Sequence, residues 1–386
     1  MMRSKFEENT VTIYLEGNVD TTNAEEVGAE INAIKAEYAD AALVLDAEDL
    51  KYISSAGLRQ ILRLKKTNKE FSVINCSSEI YEIFEMTGFS EMMDIQKAYR
   101  KMSVDGCEVI GEGSNGIVYR LNPDTIIKVY KNNDALEDIK RERELARTAL
   151  VMGVNTAIPY DVVKVDGKYG SVFELLSAKS LTKWIGSDPD NKEEYVDVFV
   201  NMLKEIHETP VKPGTLPSEK QVVLNWVTYL KDHIDEEHYN KLYKLVDDVE
   251  ESNFMLHGDY HTNNVHYDKK EAILIDMDTI CVGDPIFEFG SIYNAYQGYG
   301  ITDVSRIEKF LKIKYDDAVY VWQNTIKKYF GVEDITDIEN KCKIIGMTRV
   351  LRRTLKREPD NTELINKSKE ILFNALDTVD SLEWRK

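Results

Sequence analysis

Gly111-Glu112-Gly113-Ser114-Asn115-Gly116-Ile117-Val118 is the stretch that decides the fold of the larger part of this chain. Cys107-Glu108-Val109-Ile110 precedes it, and Ile117-Val118-Tyr119-Arg120-Leu121 runs on from it. β-Branched and aromatic residues on both sides predict strands, which puts the glycines at the tip of a hairpin. A Rossmann loop must open into a helix, and this one does not. No Gly-Lys-Ser/Thr closes the loop, so a Walker loop is excluded too. Glycines at such a tip let backbone amides approach a phosphate without Cβ obstruction. An ordinary glycine-rich hairpin would carry the same letters.

Downstream, Asn122-Pro123-Asp124 reads as a turn, and 125–130 as the next strand, with Lys128 its only lysine. A lysine there either snorkels at an edge or reaches an anion held by the loop. Asp134 followed by Glu137 forms a capping box, opening a helix that runs to about Met152, with Gly153 suited to the position beyond its end. Glu142 and Glu144 in that helix are both candidates to pair with Lys128. A strand over 171–176 leads into a hinge whose backbone could bond adenine.

Two acidic clusters follow: His257-Gly258-Asp259-Tyr260-His261-Thr262-Asn263-Asn264 and Ile275-Asp276-Met277-Asp278. A carboxylate such as Asp259 can orient an acceptor hydroxyl and take its proton. Asn264 offers a carbonyl oxygen. Asp276 follows the apolar run Ala272-Ile273-Leu274-Ile275, so a hairpin would return it beside Asn264. Oxygen ligands suit Mg²⁺. His257, His261 and His266 form a rival zinc set, but Gly258 and Asn263-Asn264 argue against the helix that set would need. Glycine loop, lysine, aspartate, asparagine and aspartate occur in the order required for phosphoryl transfer from Mg-ATP.

The first hundred residues alternate differently. Val11-Thr12-Ile13-Tyr14-Leu15 reads as a strand ending at Gly17, and 24–36 as a helix. Ala42-Leu43-Val44-Leu45 reads as a short buried strand closed by Asp46. A second helix follows Ser54-Ser55, then a strand over 71–74 and a helix around Ile80, Ile83 and Phe84. Strands alternating with helices imply a sheet covered by helices. Ser55 lies at or beside the N-cap of the second helix. Capping explains a serine there; so does phosphorylation, because a phosphate would meet free N–H groups and the positive end of the helix dipole.

The chain has 386 residues and net charge −19. Residues 1–101 hold 12 Lys and Arg against 18 Asp and Glu; the rest hold 37 against 50. Both parts are acidic, which excludes a nucleic-acid surface and leaves a cationic substrate or a protein partner. Cys76, Cys107, Cys281 and Cys342 are scattered, arguing against a disulfide framework or zinc site and for a reducing cytoplasm. No secretory signal or membrane span is visible. The junction from Lys97 to Cys107 is short and has one glycine, leaving little room for the domains to roam.

The second part resembles the aminoglycoside phosphotransferase and choline kinase-like family, with its protein kinase-like fold. The resemblance rests on His-Gly-Asp-x-His-x-x-Asn followed by Ile-Asp-x-Asp. It implies Asp259 as catalytic base, and Asn264, Asp276 and Asp278 around magnesium. Gly111, Gly113, Ser114, Asn115, Gly116 and Val118 would cover ATP. Lys128 would hold its phosphates, with Glu144 as the lysine's helix partner and Glu174 and Leu176 at the hinge. The glycine loop is fuller than in many members. Glu288, in Gly283-Asp284-Pro285-Ile286-Phe287-Glu288, stands where the family often has an aspartate that braces the catalytic loop. The first part, through Asp46 and Ser54-Ser55-Ala56-Gly57-Leu58, resembles a STAS domain, the fold of anti-sigma factor antagonists. In its phosphorylated members a serine at the place of Ser55 accepts phosphate; here Ser54 replaces the usual preceding aspartate.

The expected architecture is therefore a two-domain α/β plus α+β chain. A STAS-like sheet-and-helix domain spans 1–101. A bilobal kinase-like domain spans 102–386, with lobes at about 102–176 and 177–386. The expected activity is Mg-ATP-dependent transfer to an unidentified hydroxyl acceptor. Protein kinase activity on Ser55 or a partner, and a non-catalytic ATP switch, are the alternatives. Two features stay open. Tyr293, Tyr296 and Tyr299 could pack in the core or line an acceptor pocket. Arg349, Arg352, Arg353, Lys356 and Arg357 could be a solvated face or a site for an anion. His207, at the end of an apolar helix face, reads as a packed core histidine.

Overall fold

The computed structural model describes residues 2–113, 116–132 and 136–384. Ser114, Asn115 and the expected capping residue Asp134 lie outside the described residues. The chain forms two compact units, Met1–Ser103 and Val104–Lys386.

The first unit is a five-stranded sheet in sequential order. Ser4–Glu7 pairs antiparallel with Thr10–Val19. Thr10–Val19, Ala42–Ile53, Phe71–Cys76 and Asp94–Lys97 then run parallel. Val11, Ile13, Leu43, Leu45 and Val73 are fully buried, as expected where helices cover a parallel sheet. Two strands outrun their expected ends. Gly17 does not stop the first; its φ of +68° sits in an irregularity of register, and pairing resumes to Val19. Asp46 does not close the second. Its Oδ2 accepts from Asn75 Nδ2 at 2.9 Å and its Oδ1 from the Glu48 N–H at 2.9 Å. A buried carboxylate so satisfied can stay inside a strand.

Helix Ser55–Thr67 begins with Ser54 as its cap, the Ser54 Oγ accepting from the Gly57 N–H at 3.4 Å. Ser55 is the first helical residue and is exposed. Gly57 lets this helix sit close on the sheet: a Cβ there would lie 2.7 Å from Ile53 Cγ1 and 2.8 Å from the Val19 carbonyl oxygen.

In the second unit, five strands are antiparallel neighbours in the order Glu108–Glu112, Gly116–Arg120, Thr125–Tyr130, Lys168–Glu174, Pro159–Val165. Helix Leu136–Val151 packs on this sheet and against the turn Met277–Thr279. The rest is mainly helical, around a core that includes Tyr195, Phe199, Ile286, Phe289 and Trp322. Tyr293 and Tyr296 belong to that core, 4% and 0% exposed, which answers the tyrosine question for two of the three. Among the described residues no helix is long and apolar enough to cross a membrane.

Replacing Gly57 by Ala forces the helix off the sheet. We expect a loss of about 1–3 kcal/mol, confined to the first unit and read as an earlier unfolding transition in calorimetry.

Candidate active site

The glycine hairpin lies directly across from Lys128. Val118 pairs in register with Lys128, Gly111 with Val118, and the Gly113 N–H donates to the Gly116 carbonyl at 2.9 Å. Gly116 has a packing reason as well: a Cβ would sit 2.6 Å from the Val129 carbonyl oxygen.

Lys128 Nζ is 2.8 Å from Glu142 Oε1 and 3.7 Å from Asp276 Oδ1. Its helix partner is thus Glu142, correcting the expectation of Glu144. Helix Leu136–Val151 buries Ile139, Glu142, Ala146 and Ala149, at spacings of three and four, whereas Glu144 lies off that stripe, exposed. The other oxygen of Glu142 accepts from the Tyr130 hydroxyl at 2.6 Å. Tyr130 was missed in the sequence, though a signal existed: two residues beyond Lys128 on a strand, it shares the lysine's face.

The acidic clusters are stitched together by hydrogen bonds. Strands Val265–Tyr267 and Ala272–Leu274 form a hairpin, and the Ile275 N–H donates to the Asn264 carbonyl at 3.0 Å. Asn264 Nδ2 donates to the Asp259 carbonyl at 3.0 Å, leaving Oδ1 as the end able to take a cation. His257 Nε2 donates to the Ile275 carbonyl at 3.1 Å and its Nδ1 accepts the Asp259 N–H at 3.3 Å. Thr279 Oγ1 donates to the His257 carbonyl at 2.8 Å. Gly258, at φ +83°, permits the close pass: a Cβ would be 2.3 Å from the Thr279 carbonyl oxygen.

Glu288 braces this loop from below. Its Oε2 accepts the His257 N–H at 2.6 Å and its Oε1 the Gly258 N–H at 2.8 Å. His207 Nε2 lies 3.3 Å away, and its Nδ1 is bonded to the Tyr329 hydroxyl at 2.8 Å. Burial alone would raise the Glu288 carboxyl. The contact with His207 and the His257 backbone N–H outweigh it and hold the group below its ordinary value. His207 is indeed buried in the core, as the brace's partner.

Asp259 follows the same logic. Burial pushes its carboxyl up, but the contact with His261 and the charge of Arg349 bring it below the usual aspartate range. The group is ionised at neutral pH. Asp278 goes the other way: burial first, then the charges of Asp276 and Glu142, push it up to about 7. Crowded carboxyl oxygens of this kind fit a divalent cation. Among the described residues no group of three or more His, Cys, Asp or Glu gathers as a metal cage, and Mg²⁺ characteristically needs only one or two carboxylates beside substrate phosphates. At the expected hinge, the Glu174 N–H donates to the Ile158 carbonyl at 3.1 Å and the Leu175 N–H to the Asp124 carbonyl at 2.8 Å. Leu176 follows, half-buried.

Residues 106–312 match the phosphotransferase enzyme family. The chain belongs to that family. Residues 2–102 match the STAS domain. Among curated proteins, "Putative anti-sigma factor antagonist BtrV" of Bordetella bronchiseptica is 34% identical over 85 residues, 21% of this chain and 72% of that protein. Among solved structures, a thermostable mutant of aminoglycoside phosphotransferase APH(4)-Ia with AMP-PNP and hygromycin B is similar at a TM-score of 0.49 and 11% identity. That match covers 71% of this chain and 94% of the other. The streptomycin-ATP-APH(2")-IIa ternary complex is similar at a TM-score of 0.47 and 17% identity, covering 69% and 91%.

Two outcomes follow from this geometry. Glu142→Gln should weaken nucleotide binding about tenfold, by freeing Lys128, while Glu144→Gln changes it less than twofold, both read by calorimetric titration. Glu288→Ala should cost about 3–5 kcal/mol at pH 7. Because the native carboxyl titrates below its unfolded value, that contribution is complete above the ordinary glutamate range and fades as pH falls through the native one. Denaturant melts at pH 7 and pH 3 should therefore show the gap between the two proteins narrowing.

Proposed function

We propose that this phosphotransferase moves the γ-phosphoryl group of Mg-ATP to a hydroxyl of a small molecule, with Asp259 as the base. The observation that carries the reading is the placement of an ionised Asp259. It sits on a cavity wall, in a loop bonded to the same hairpin that brings Asp276 to Lys128. Asp259 would orient the acceptor hydroxyl and take its proton as the oxygen attacks phosphorus. Lys128, positioned by Glu142, would hold the ATP phosphates. The hairpin glycines Gly111, Gly113 and Gly116, with Val118, would cover them, and Glu174 and Leu176 would flank the adenine. Asn264 Oδ1, Asp276 and Asp278 would hold Mg²⁺, which when bound neutralises charge on the phosphates.

A second reading concerns the STAS domain. Ser54 does the capping, and the exposed Ser55 hydroxyl beside it has no hydrogen-bond partner among the described residues. We infer a protein-binding, regulatory role for this domain in the cytoplasm, with Ser55 as a phosphate acceptor from this kinase or another.

Asp259→Asn should lower ADP release from Mg-ATP, alone and with a panel of alcohols, by about 100-fold or more, while leaving nucleotide affinity within twofold. Full turnover in that variant would overturn the assignment. Intact mass after incubation with Mg-ATP, wild type beside Ser55→Ala, reads the second possibility directly.

A further inference from the structure

Helix Thr336–Arg357 carries Arg349, Arg352, Arg353, Lys356 and Arg357. At spacings of three, four, seven and eight they share one helix face. Such like-charge neighbours destabilise a helix rather than support it. Cations in a last turn are ordinary, since they meet the negative end of the helix dipole. That accounts for Lys356 and Arg357; Arg349 donates to Ser291 Oγ at 2.7 Å, which in turn donates to the Gly258 carbonyl at 3.1 Å, and Arg352 and Arg353 are left unexplained. Among the described residues none of the five forms a salt bridge, in a chain whose net charge is −19. Arg349 feels the charges of Asp259 and Glu219, but among the described residues no carboxylate is placed in contact with Arg352, Arg353, Lys356 or Arg357.

The five line one cavity of about 500 Å³ together with Trp226 and Tyr299, and among the described residues no carboxylate is on its wall. The aromatic rings hold the cationic heads. Arg349 lies 5.5 Å from the centre of the Trp226 ring and Arg353 5.5 Å from that of Tyr299. Lys356 and Arg352 lie 4.6 Å and 5.8 Å from that of Tyr229. Arg352 Nε is buried without a hydrogen-bond partner among the described residues. Tyr299 therefore does not offer its face to a cationic ligand; the protein's own Arg353 lies over it.

A second cavity, sharing part of this wall, reaches the proposed base. A neighbouring space of about 400 Å³ has Asp259 on its wall, shares Tyr299, Arg349 and Arg353 with the first, and adds Arg306. Glu358 is the one acid there besides Asp259. Spaces of this size accommodate a small metabolite. A molecule presenting a hydroxyl to Asp259 would thus extend its far end among arginines.

We propose that the acceptor carries a phosphate group, bound by Arg352, Arg353, Lys356 and Arg357, and that the enzyme phosphorylates a hydroxyl of an already phosphorylated small molecule. The proposal rests on the phosphotransferase reading above and names its substrate class. Guanidinium forks bind phosphate oxygens in pairs, and a dianion answers several cations better than one carboxylate does. A polycationic acceptor would meet repulsion on this wall. In the transfer, the acceptor oxygen bonds to the γ-phosphorus, the bond to the ADP oxygen breaks, and the acceptor proton passes to Asp259. The products are ADP and a bisphosphorylated compound.

The test titrates the full chain with inorganic phosphate, with and without saturating Mg–AMP-PNP, by calorimetry. Wild type is compared with an Arg353→Gln/Lys356→Gln double variant, whose melting without ligand checks folding. Phosphate should bind wild type beside the nucleotide and bind the variant at least about tenfold more weakly, with AMP-PNP affinity within twofold. Turnover is then compared for glycerol 3-phosphate, glycerol, glycerate and kanamycin, the first expected to exceed the others. Equal phosphate binding by both proteins, no phosphate binding by wild type, or a preference for glycerate or kanamycin would each overturn the proposal. Failure of AMP-PNP to bind wild type would instead sink the phosphotransferase reading, and the titration without nucleotide would still report on the cavity.

Discussion

A buried carboxylate organises the catalytic half of this protein. Glu288 spends one oxygen on the His257 N–H and the other on the Gly258 N–H. A carboxylate taken out of water must have such partners, so the loop cannot drift without exposing an uncompensated charge. From that anchor a series of bonds runs outward. His257 ties to Ile275, Ile275 to Asn264, and Asn264 to Asp259. Asp259 therefore owes its position to backbone contacts as much as to its own side chain. The longer glutamate reaches the loop where the family often has an aspartate.

Around this frame the charges divide. On the lysine side, Glu142, Asp276 and Asp278 crowd together with Lys128 as counter-charge. Such crowded carboxyl oxygens suit a divalent ion. Beyond Asp259 the balance inverts, and cationic side chains outnumber acids. A net charge of −19 says nothing of this division, because net charge is a sum and recognition depends on the local field. The acidic composition suggested a cationic substrate; the wall of the cavity argues for an anionic one.

Parts of the site were legible because local chemistry forces them. The turn at Asn122-Pro123-Asp124, the strand with Lys128 and the hairpin that returns Asp276 toward Asn264 each follow from short-range rules of turns, alternation and apolar runs. The choice between Glu142 and Glu144 did not follow, although the two lie on one helix only two residues apart. Which of them faces inward depends on how the helix is rotated against the sheet, and that is settled by packing of Ile139, Ala146 and Ala149. Strand ends were misjudged for a related reason. Gly17 and Asp46 look like stops until a register shift and the amide of Asn75 accommodate them.

The sequence by itself determined the two folds, the order of the motifs and the chemistry available to them, since these depend on residue type and short spacing. Only the tertiary structure decided which groups meet. It placed Glu288 beneath a loop some 30 residues away in the chain. It sent Tyr293 and Tyr296 into the core, and it turned an arginine-rich helix face toward the cavity that holds Asp259. Such meetings are made by contacts distant along the chain, whose geometry emerges only when helices and sheets pack to bury their apolar faces.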